Sequence, residues 1–302
     1  MKPERLNRLL LEWYAQYGRT HLPWRRTRDP YLVLVSEFML QQTQVERVLP
    51  KYEAFVARFP DLAALAAATT ADVVRAWKGL GYNSRAVRLK QIARAVVDRF
   101  DGRIPRDGQT LQNLPGIGAY TASAVMAFAF ERPAAAVDTN LRRVLHRVFY
   151  GMEHPPRASA AELEARACDL VPAAQSHDWN SALMDLGAAI CTARAPKCLI
   201  CPLSAVCEAY PVDAAALERA RSSAGPPRPR QPRFEQTTRF ARGRIVDRLR
   251  ELAPGARISL LDLHRDVGPS IGRGADEIKR LAGELQRDGV VEIHGDMVAL
   301  GE

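Results

Sequence analysis

Cysteine is almost missing from this chain of 302 residues: there are five, and four of them crowd into residues 191–207. So thin a supply excludes a disulfide-stapled scaffold, and the clustered thiols point to metal instead. Long apolar runs are missing too. None approaches the roughly 20 residues that span a bilayer, so no membrane segment is expected. The N-terminal stretch "MKPERLNRLLLEWYAQYG" spaces its apolar residues for a helix and lacks the continuous apolar core and cleavage site of a signal peptide. A cytoplasmic protein is the expectation. Acid is in deficit as well. Asp and Glu number 34 against 43 Lys and Arg, a net charge of +9, which favours a polyanion such as nucleic acid as partner.

What is present is helix. Residues 1–221 are rich in Ala, Leu, Arg and Glu, with apolar positions at helical spacing, such as Leu6, Leu9, Leu10 and Trp13, then Val87, Leu89, Ile92, Ala93 and Val96. Strands do not alternate with helices, which argues against a parallel sheet. The fold class expected is all-α. Proline, glycine and arginine in "SSAGPPRPRQPRFE" mark residues 222–235 as a linker. Residues 236–302 then form a second domain. Helical patterns at "RFARGRIVDRLREL", "SLLDLHRDV" and "GADEIKRLAGELQRDG" precede "VVEIHGDMVAL", two short strands about a turn. Three helices and a hairpin make this unit winged-helix-like, suited equally to DNA binding or to packing against a partner.

Three segments carry candidate chemistry. In "LQNLPGIGAYTASAVMAFAF", Gly116 and Gly118 in the turn at 114–122 allow close backbone approach, and the N–H groups of the next helix can meet a phosphate. That is a helix-hairpin-helix layout, although an ordinary glycine turn between packed helices has the same sequence. Neither G-x-G-x-x-G nor a P-loop occurs. In "AAAVDTNLRRVLHRVFYG", Asp138 stands just before a helix, where it is either a simple cap or a carboxylate held beside a bound sugar. In "YLVLVSEFMLQQTQ", Glu37 is a lone acid among apolar residues; desolvation there should raise its pKa, as suits a general acid. Two carboxyls in contrasting environments are the equipment of glycosidic bond cleavage.

Six segments in order, "LPWRRTRDPYLVLVSEFMLQQTQV", "WKGLGYNSRAVRL", "LPGIGAYTASAV", "AVDTNLRRVLHR", "NSALMDLGAAIC" and "CTARAPKCLICPLSAVC", resemble the helix-hairpin-helix DNA glycosylases, and above all the MutY-type A/G-specific adenine glycosylases. The resemblance covers residues 1 to about 215. It implies a two-lobed helical fold and a monomer acting on double-stranded DNA that holds a mispair or damaged base. Thiolates in C-x6-C-x2-C-x5-C spacing suit iron–sulfur or zinc. The family implies a [4Fe–4S] cluster on Cys191, Cys198, Cys201 and Cys207, with Arg194 and Lys197 presented to DNA phosphates. Cys168 reads as a small core residue.

The family's catalytic acid falls on Glu37 and its catalytic aspartate on Asp138, with Tyr120 and Asn140 as polar supports. Tyr120 stands where bifunctional relatives carry a lysine nucleophile, so a monofunctional enzyme is implied. Gln42 and Tyr82 match positions that enter the duplex while the target base is flipped out. The base pocket falls on Arg25, Leu40 and Ser181. Two departures stand out. Ser181 replaces the Gln or Glu that usually reaches the adenine, and residues 236–302 are too few for the Nudix-like domain that reads 8-oxoguanine. A mismatch thymine/uracil glycosylase, or a non-catalytic DNA-binding protein on the same scaffold, are the competing expectations.

Overall fold

A computed structural model describes residues 3–154, 156–223 and 232–302 of the chain. The helices are α1 (Pro3–Tyr17), α2 (Pro30–Leu40), α3 (Val45–Arg58), α4 (Leu62–Ala67), α5 (Thr70–Ala76), α6 (Ser84–Phe100), α7 (Gly108–Gln112) and α8 (Ala119–Phe128). They continue as α9 (Thr139–Tyr150), α10 (Ala160–Leu170), α11 (Ser176–Ala189), α12 (Ala214–Ser223), α13 (Thr238–Arg250), α14 (Leu260–Ile271) and α15 (Ala275–Arg287). No helix among the described residues is long and apolar enough to cross a membrane. Contacts divide the chain into two units. The first lies within Met1–Leu34, Arg106–Asn113 and Ile117–Pro229, the second within Val35–Pro105, Leu114–Gly116 and Arg230–Glu302.

The first unit is built on helical periodicity. Leu6, Leu10 and Tyr14 recur every four residues along α1 and face Trp179, Ala182, Leu183 and Leu186 of α11. Leu141, Val144, Leu145 and Val148 of α9 close the same core, which α10 joins through Leu163, Ala167 and Leu170. Each fully buried leucine contributes about 1.5–3 kcal/mol of transfer free energy. The indole of this core is paired: Trp179 Nε1 donates to Asn7 Oδ1 at 2.8 Å, and Asn7 Nδ2 donates to the Leu170 carbonyl at 2.8 Å. The expectation that Cys168 is a core residue is corrected here. Helical phase turns Ala167 inward and leaves Cys168 exposed.

In the second unit α4 packs on α6, and Trp77 lies edge-on to Phe55 with ring centroids 5.7 Å apart. The chain's last segment has the order α13, β1 (Ile258–Ser259), α14, α15, β2 (Val291–His294), β3 (Met297–Leu300). The sheet is antiparallel in the order β1-β3-β2, a winged-helix-like arrangement. β1 escapes a sequence reading because two residues are too short to show alternation. The hairpin register pairs Val291 with Leu300 and His294 with Met297.

This segment's core is continuous with α5 and α6: Val74 and Val87 cluster with Ile245, Leu249, Leu281 and Leu285. Polar ties reinforce the seam. The Ala71 N–H donates to the Gly301 carbonyl at 2.7 Å, and Arg250 Nη2 donates to the Val74 carbonyl and Asn83 Oδ1, both at 2.8 Å. The Pro- and Arg-rich stretch expected as a linker at 222–235 lies for most of its length outside the described residues.

Candidate active site

Asp138 is the N-cap of α9. Its Oδ1 accepts from the Asn140 N–H at 2.8 Å and the Leu141 N–H at 2.7 Å, while its Oδ2 accepts from Asn140 Nδ2 at 3.0 Å. The cap alone is worth ~1 kcal/mol. The third bond goes further, because a side chain fixes the oxygen that capping leaves over. The approach to Asp138 is pinned by Asn180, which is fully buried on α11. Asn180 Oδ1 accepts from the Ala136 N–H at 2.8 Å, and its Nδ2 donates to the carbonyls of Ala134 (2.9 Å) and Ser176 (2.8 Å).

Asn140 is held in turn. Arg143 Nη2 donates to Asn140 Oδ1 at 2.9 Å and to the Gly187 carbonyl at 2.7 Å, and Arg143 Nε donates to the Cys191 carbonyl at 2.8 Å. One guanidinium thus joins the support of Asp138 to the backbone of the first clustered cysteine. Gly187 lets α9 and α11 come this close, since a Cβ there would stand 2.8 Å from Asn140 Cβ.

Arg25 and Ser181 also lie in the first unit, and both are buried. Arg25 Nη2 stands 3.7 Å from Asp185 Oδ1, whose carboxylate is already held by Arg19 at 2.7 Å. The Nε and Nη1 of Arg25, the Ser181 hydroxyl and the Tyr14 hydroxyl have no hydrogen-bond partner among the described residues. Tyr14 and Ser181 are neighbours that fall short of a well-formed bond with each other. Burial dominates at Tyr14 and holds its phenol above the usual range, with Arg25 opposing. Buried donors without partners are costly, and a ligand presenting acceptors would satisfy them.

Tyr120 is half-buried on the first turn of α8. Gly118 caps that helix without a side-chain bond, and a Cβ there would meet nothing within 4 Å. Gly116 differs. Its φ of +80° requires glycine, and a Cβ would press on Arg88 at 3.2 Å.

In the second unit Glu37 sits on α2, where Val33 to Met39 are all buried, and is itself 8% exposed. Leu40 ends that helix, half-buried. Gln42 and Tyr82 follow on two separate turns, Gln42 exposed and Tyr82 36% exposed. Both hold left-handed backbone without being glycine, φ +55° and +46°. Such strain persists only where the surroundings enforce it.

Arg85, 4% exposed, is the enforcing group. Its Nη1 donates to the carbonyls of Phe38 (2.8 Å) and Met39 (3.0 Å) and makes a short contact with that of Gln41. Its Nη2 donates to the carbonyls of Leu80 (3.0 Å) and Gly81 (3.1 Å) and to Thr43 Oγ1 at 3.1 Å. Burial lowers its pKa to about 10, so it stays charged at neutral pH. One buried cation fixes both turns. Sequence reasoning misses Arg85, as it misses Asn180, Arg143 and Gly187. The available signal is spacing: Asn180, Met184 and Gly187 recur on one face of α11, running toward Cys191.

The four clustered cysteines line one cavity together with Arg147, Lys197 and Tyr210. Arg147 is buried; it is ion-paired to Glu153 at 2.6 Å, and its Nη1 donates to the Thr192 carbonyl at 2.8 Å and reaches Cys191 Sγ at 3.5 Å. Burial pushes Cys201 up to about 12 and Cys207 to about 11, and a thiol that binds metal gives up that proton. Among the described residues no three His, Cys, Asp or Glu side chains converge to hold a single ion. Four thiols around one cavity are a donor set that suits an iron–sulfur cluster. Arg194 and Lys197 are exposed on the loop.

Residues 35–168 match the HhH-GPD superfamily base excision DNA repair protein family, and residues 191–207 match the iron-sulfur binding domain of endonuclease III. The adenine DNA glycosylase of Mycolicibacterium smegmatis is 43% identical over 258 residues, which cover 84% of this chain and 83% of that protein. The chain belongs to the adenine DNA glycosylase family. In this family the four-cysteine loop carries a [4Fe–4S] cluster, and the residues present here suit it. Among solved structures, a thermostable thymine-DNA glycosylase is 36% identical, with a TM-score of 0.64 over 69% of this chain and 96% of that one. A non-covalent endonuclease III–DNA complex shares the fold at a TM-score of 0.58 and 23% identity, over 73% of this chain and 99% of that one. A helical DNA N-glycosylase of base excision repair is therefore the kind of enzyme this chain is.

Proposed function

We propose that the chain is a monofunctional adenine glycosylase acting on adenine opposite 8-oxoguanine or guanine. The observation that carries the chemistry is the contrast between two carboxyls. Glu37 is buried on an apolar helix, and Asp138 has both oxygens fixed by donors. In this reading the target nucleoside is extruded, Gln42 and Tyr82 occupying the space it leaves. Glu37 gives its proton to the departing purine as the bond from the base nitrogen to C1′ breaks. The bond's electron pair leaves with the base, and positive charge grows on the sugar. Asp138 stabilises that charge and directs a water to C1′; the water's proton passes to a carboxylate and an abasic sugar remains. Arg25 and the Ser181–Tyr14 pair meet acceptors on the base. Tyr120 has no amine to form a Schiff base, so the strand stays intact. The cluster is structural, holding Arg194 and Lys197 toward phosphates.

The test uses duplexes carrying a single A:8-oxoG, A:G, T:G, U:G or hypoxanthine site, treated with alkali after incubation. Alkali-dependent breaks at A are expected. Breaks at T or U would transfer the activity to a mismatch pyrimidine glycosylase, a reading favoured by the 36% identical thymine-DNA glycosylase. Breaks without alkali would overturn the monofunctional assignment. Glu37→Gln and Asp138→Asn should each abolish excision while DNA binding survives.

A further inference from the structure

The segment after residue 231 meets the Tyr82 turn in a groove of ≈ 580 Å³, and the groove's lining is cationic and aromatic. Arg239 of α13 lies over the Tyr82 ring, 4.1 Å from its centroid, and its Nη1 donates to the Tyr82 hydroxyl at 2.7 Å. Phe234 flanks the same guanidinium at 5.4 Å and is 50% exposed. The groove's two aspartates are spoken for: Asp288 is bound by Arg242, and Asp247 by Arg250 at 2.7 Å. The other three arginines of the lining have no acid partner among the described residues. Arg47 donates to the Gly79 carbonyl at 2.6 Å, Arg239 holds Tyr82, and Arg244 has no partner among the described residues.

The placement of these charges breaks a local rule. α13 has no acid in its first turn and carries arginine there instead, where the helix dipole disfavours a cation. Such local costs are tolerated at working sites. An exposed arginine stacked on a half-exposed tyrosine gains up to ~1 kcal/mol, which explains the pair's order but not why Arg47 and Arg244 gather beside it. A polyanion explains all three.

We infer that this groove is a second DNA-binding site, supplied by the C-terminal domain, which takes the phosphodiester backbone flanking the point where Tyr82 enters the duplex. Arg244 and Arg47 meet phosphates. Arg239 is a positioning residue that holds the Tyr82 ring in its inserting orientation. The inference rests on the reading of Tyr82 as an inserting residue.

The test measures affinity of the full-length holoenzyme for an undamaged duplex across a salt series, by fluorescence anisotropy. Arg244→Ala should weaken binding ~3–10-fold and reduce the log–log salt slope by about 0.9, the signature of one lost phosphate. Arg244→Glu should weaken it further. Arg265→Ala removes an exposed charge, ion-paired to Asp262, from the same domain outside the groove and should change neither quantity. Arg239→Ala and Tyr82→Ala should combine to less than the product of their single effects. Identical binding by the Arg244 and Arg265 variants would overturn the site, and full multiplicativity of Arg239 with Tyr82 would overturn the positioning role. Adenine release is assayed separately. Weakened binding by Arg244→Ala in a protein that releases no adenine would sink the activity and leave the groove standing. Release of adenine with unaltered Arg244→Ala binding would do the reverse.

Discussion

Replacing Arg85 by methionine tests whether one buried cation holds both strained turns. The side chain keeps its length and apolar stem and loses every donor. Three of the abandoned acceptors, the carbonyls of Phe38, Met39 and Leu80, are in buried bonds. An orphaned buried acceptor costs about 1–3 kcal/mol. Relief from burying an unpaired charge offsets part of this, because no carboxylate among the described residues pairs with Arg85. The Gln41 and Gly81 carbonyls and Thr43 lie nearer solvent and recover water. The net loss expected is ~3–5 kcal/mol, in the range for removing one member of a buried polar network. Arg85→Lys keeps the charge with a point-like head and should recover less than half, since a lysine cannot span acceptors on two turns.

Urea unfolding gives the energy, and amide hydrogen exchange gives its location. Protection should fall first at residues 41–43 and 79–82. Gln42 and Tyr82 sit in left-handed backbone that costs roughly 1–2 kcal/mol each, and without the clamp both relax toward ordinary conformations. Displacing groups that prepare the reacting geometry by an ångström can cost ~100-fold, so single-turnover adenine release should drop by one to two orders of magnitude. Arg85→Met within 1 kcal/mol of the native protein, with unaltered exchange at both turns, would refute the clamp.

Three further changes probe the first unit. Gly187→Ala places a Cβ 2.8 Å from Asn140 Cβ; α9 and α11 should separate, with ~1–3 kcal/mol lost in thermal unfolding and adenine release slowed through the displaced Asn140. Tyr14→Phe removes a buried hydroxyl that has no well-formed hydrogen bond among the described residues, so the free protein should be as stable or slightly more so; slower adenine release in the same variant would show that this hydroxyl meets the base, and an unchanged rate that it does not. Cys201→Ala should yield a colourless protein with little bound iron and weaker DNA binding, because Arg194 and Lys197 ride on the loop; native iron content measured in that variant would remove Cys201 from the ligand set.

Helix content, the hairpin and the cysteine loop were open to sequence reasoning because each is written in short-range spacing. Asp138 could be seen as a cap because capping reaches only two or three residues ahead, and Glu37 as buried because its own helix is apolar on every side. What fixes those groups is long-range and polar, and no periodicity announces it. Asn180 reaches back 44 residues to the loop before Asp138. Arg143 binds a carbonyl 48 residues on. The shared core of α5, α6 and the C-terminal segment escaped for the same reason: Val74 and Val87 look like any helix-face valines until Ile245 and Leu249 are found against them.

One local clue was nevertheless present. Arg85 is the second residue of α6 and Arg239 the second of α13, and neither helix has an acid in its first turn. A cation at that end of a helix works against the dipole and is retained only when something else repays it. For Arg85 the return is a set of backbone carbonyls from two turns, and for Arg239 it is the tyrosine that one of those turns displays. Both arginines meet Tyr82: Arg85 holds the Gly81 carbonyl and stands 5.6 Å from the ring centroid, and Arg239 stands 4.1 Å from it. A strained, half-exposed tyrosine held by two cations is costly to maintain as mere packing. On the proposed reading that Tyr82 enters the duplex, a ring ordered in advance spares the entropy of ordering it in the complex.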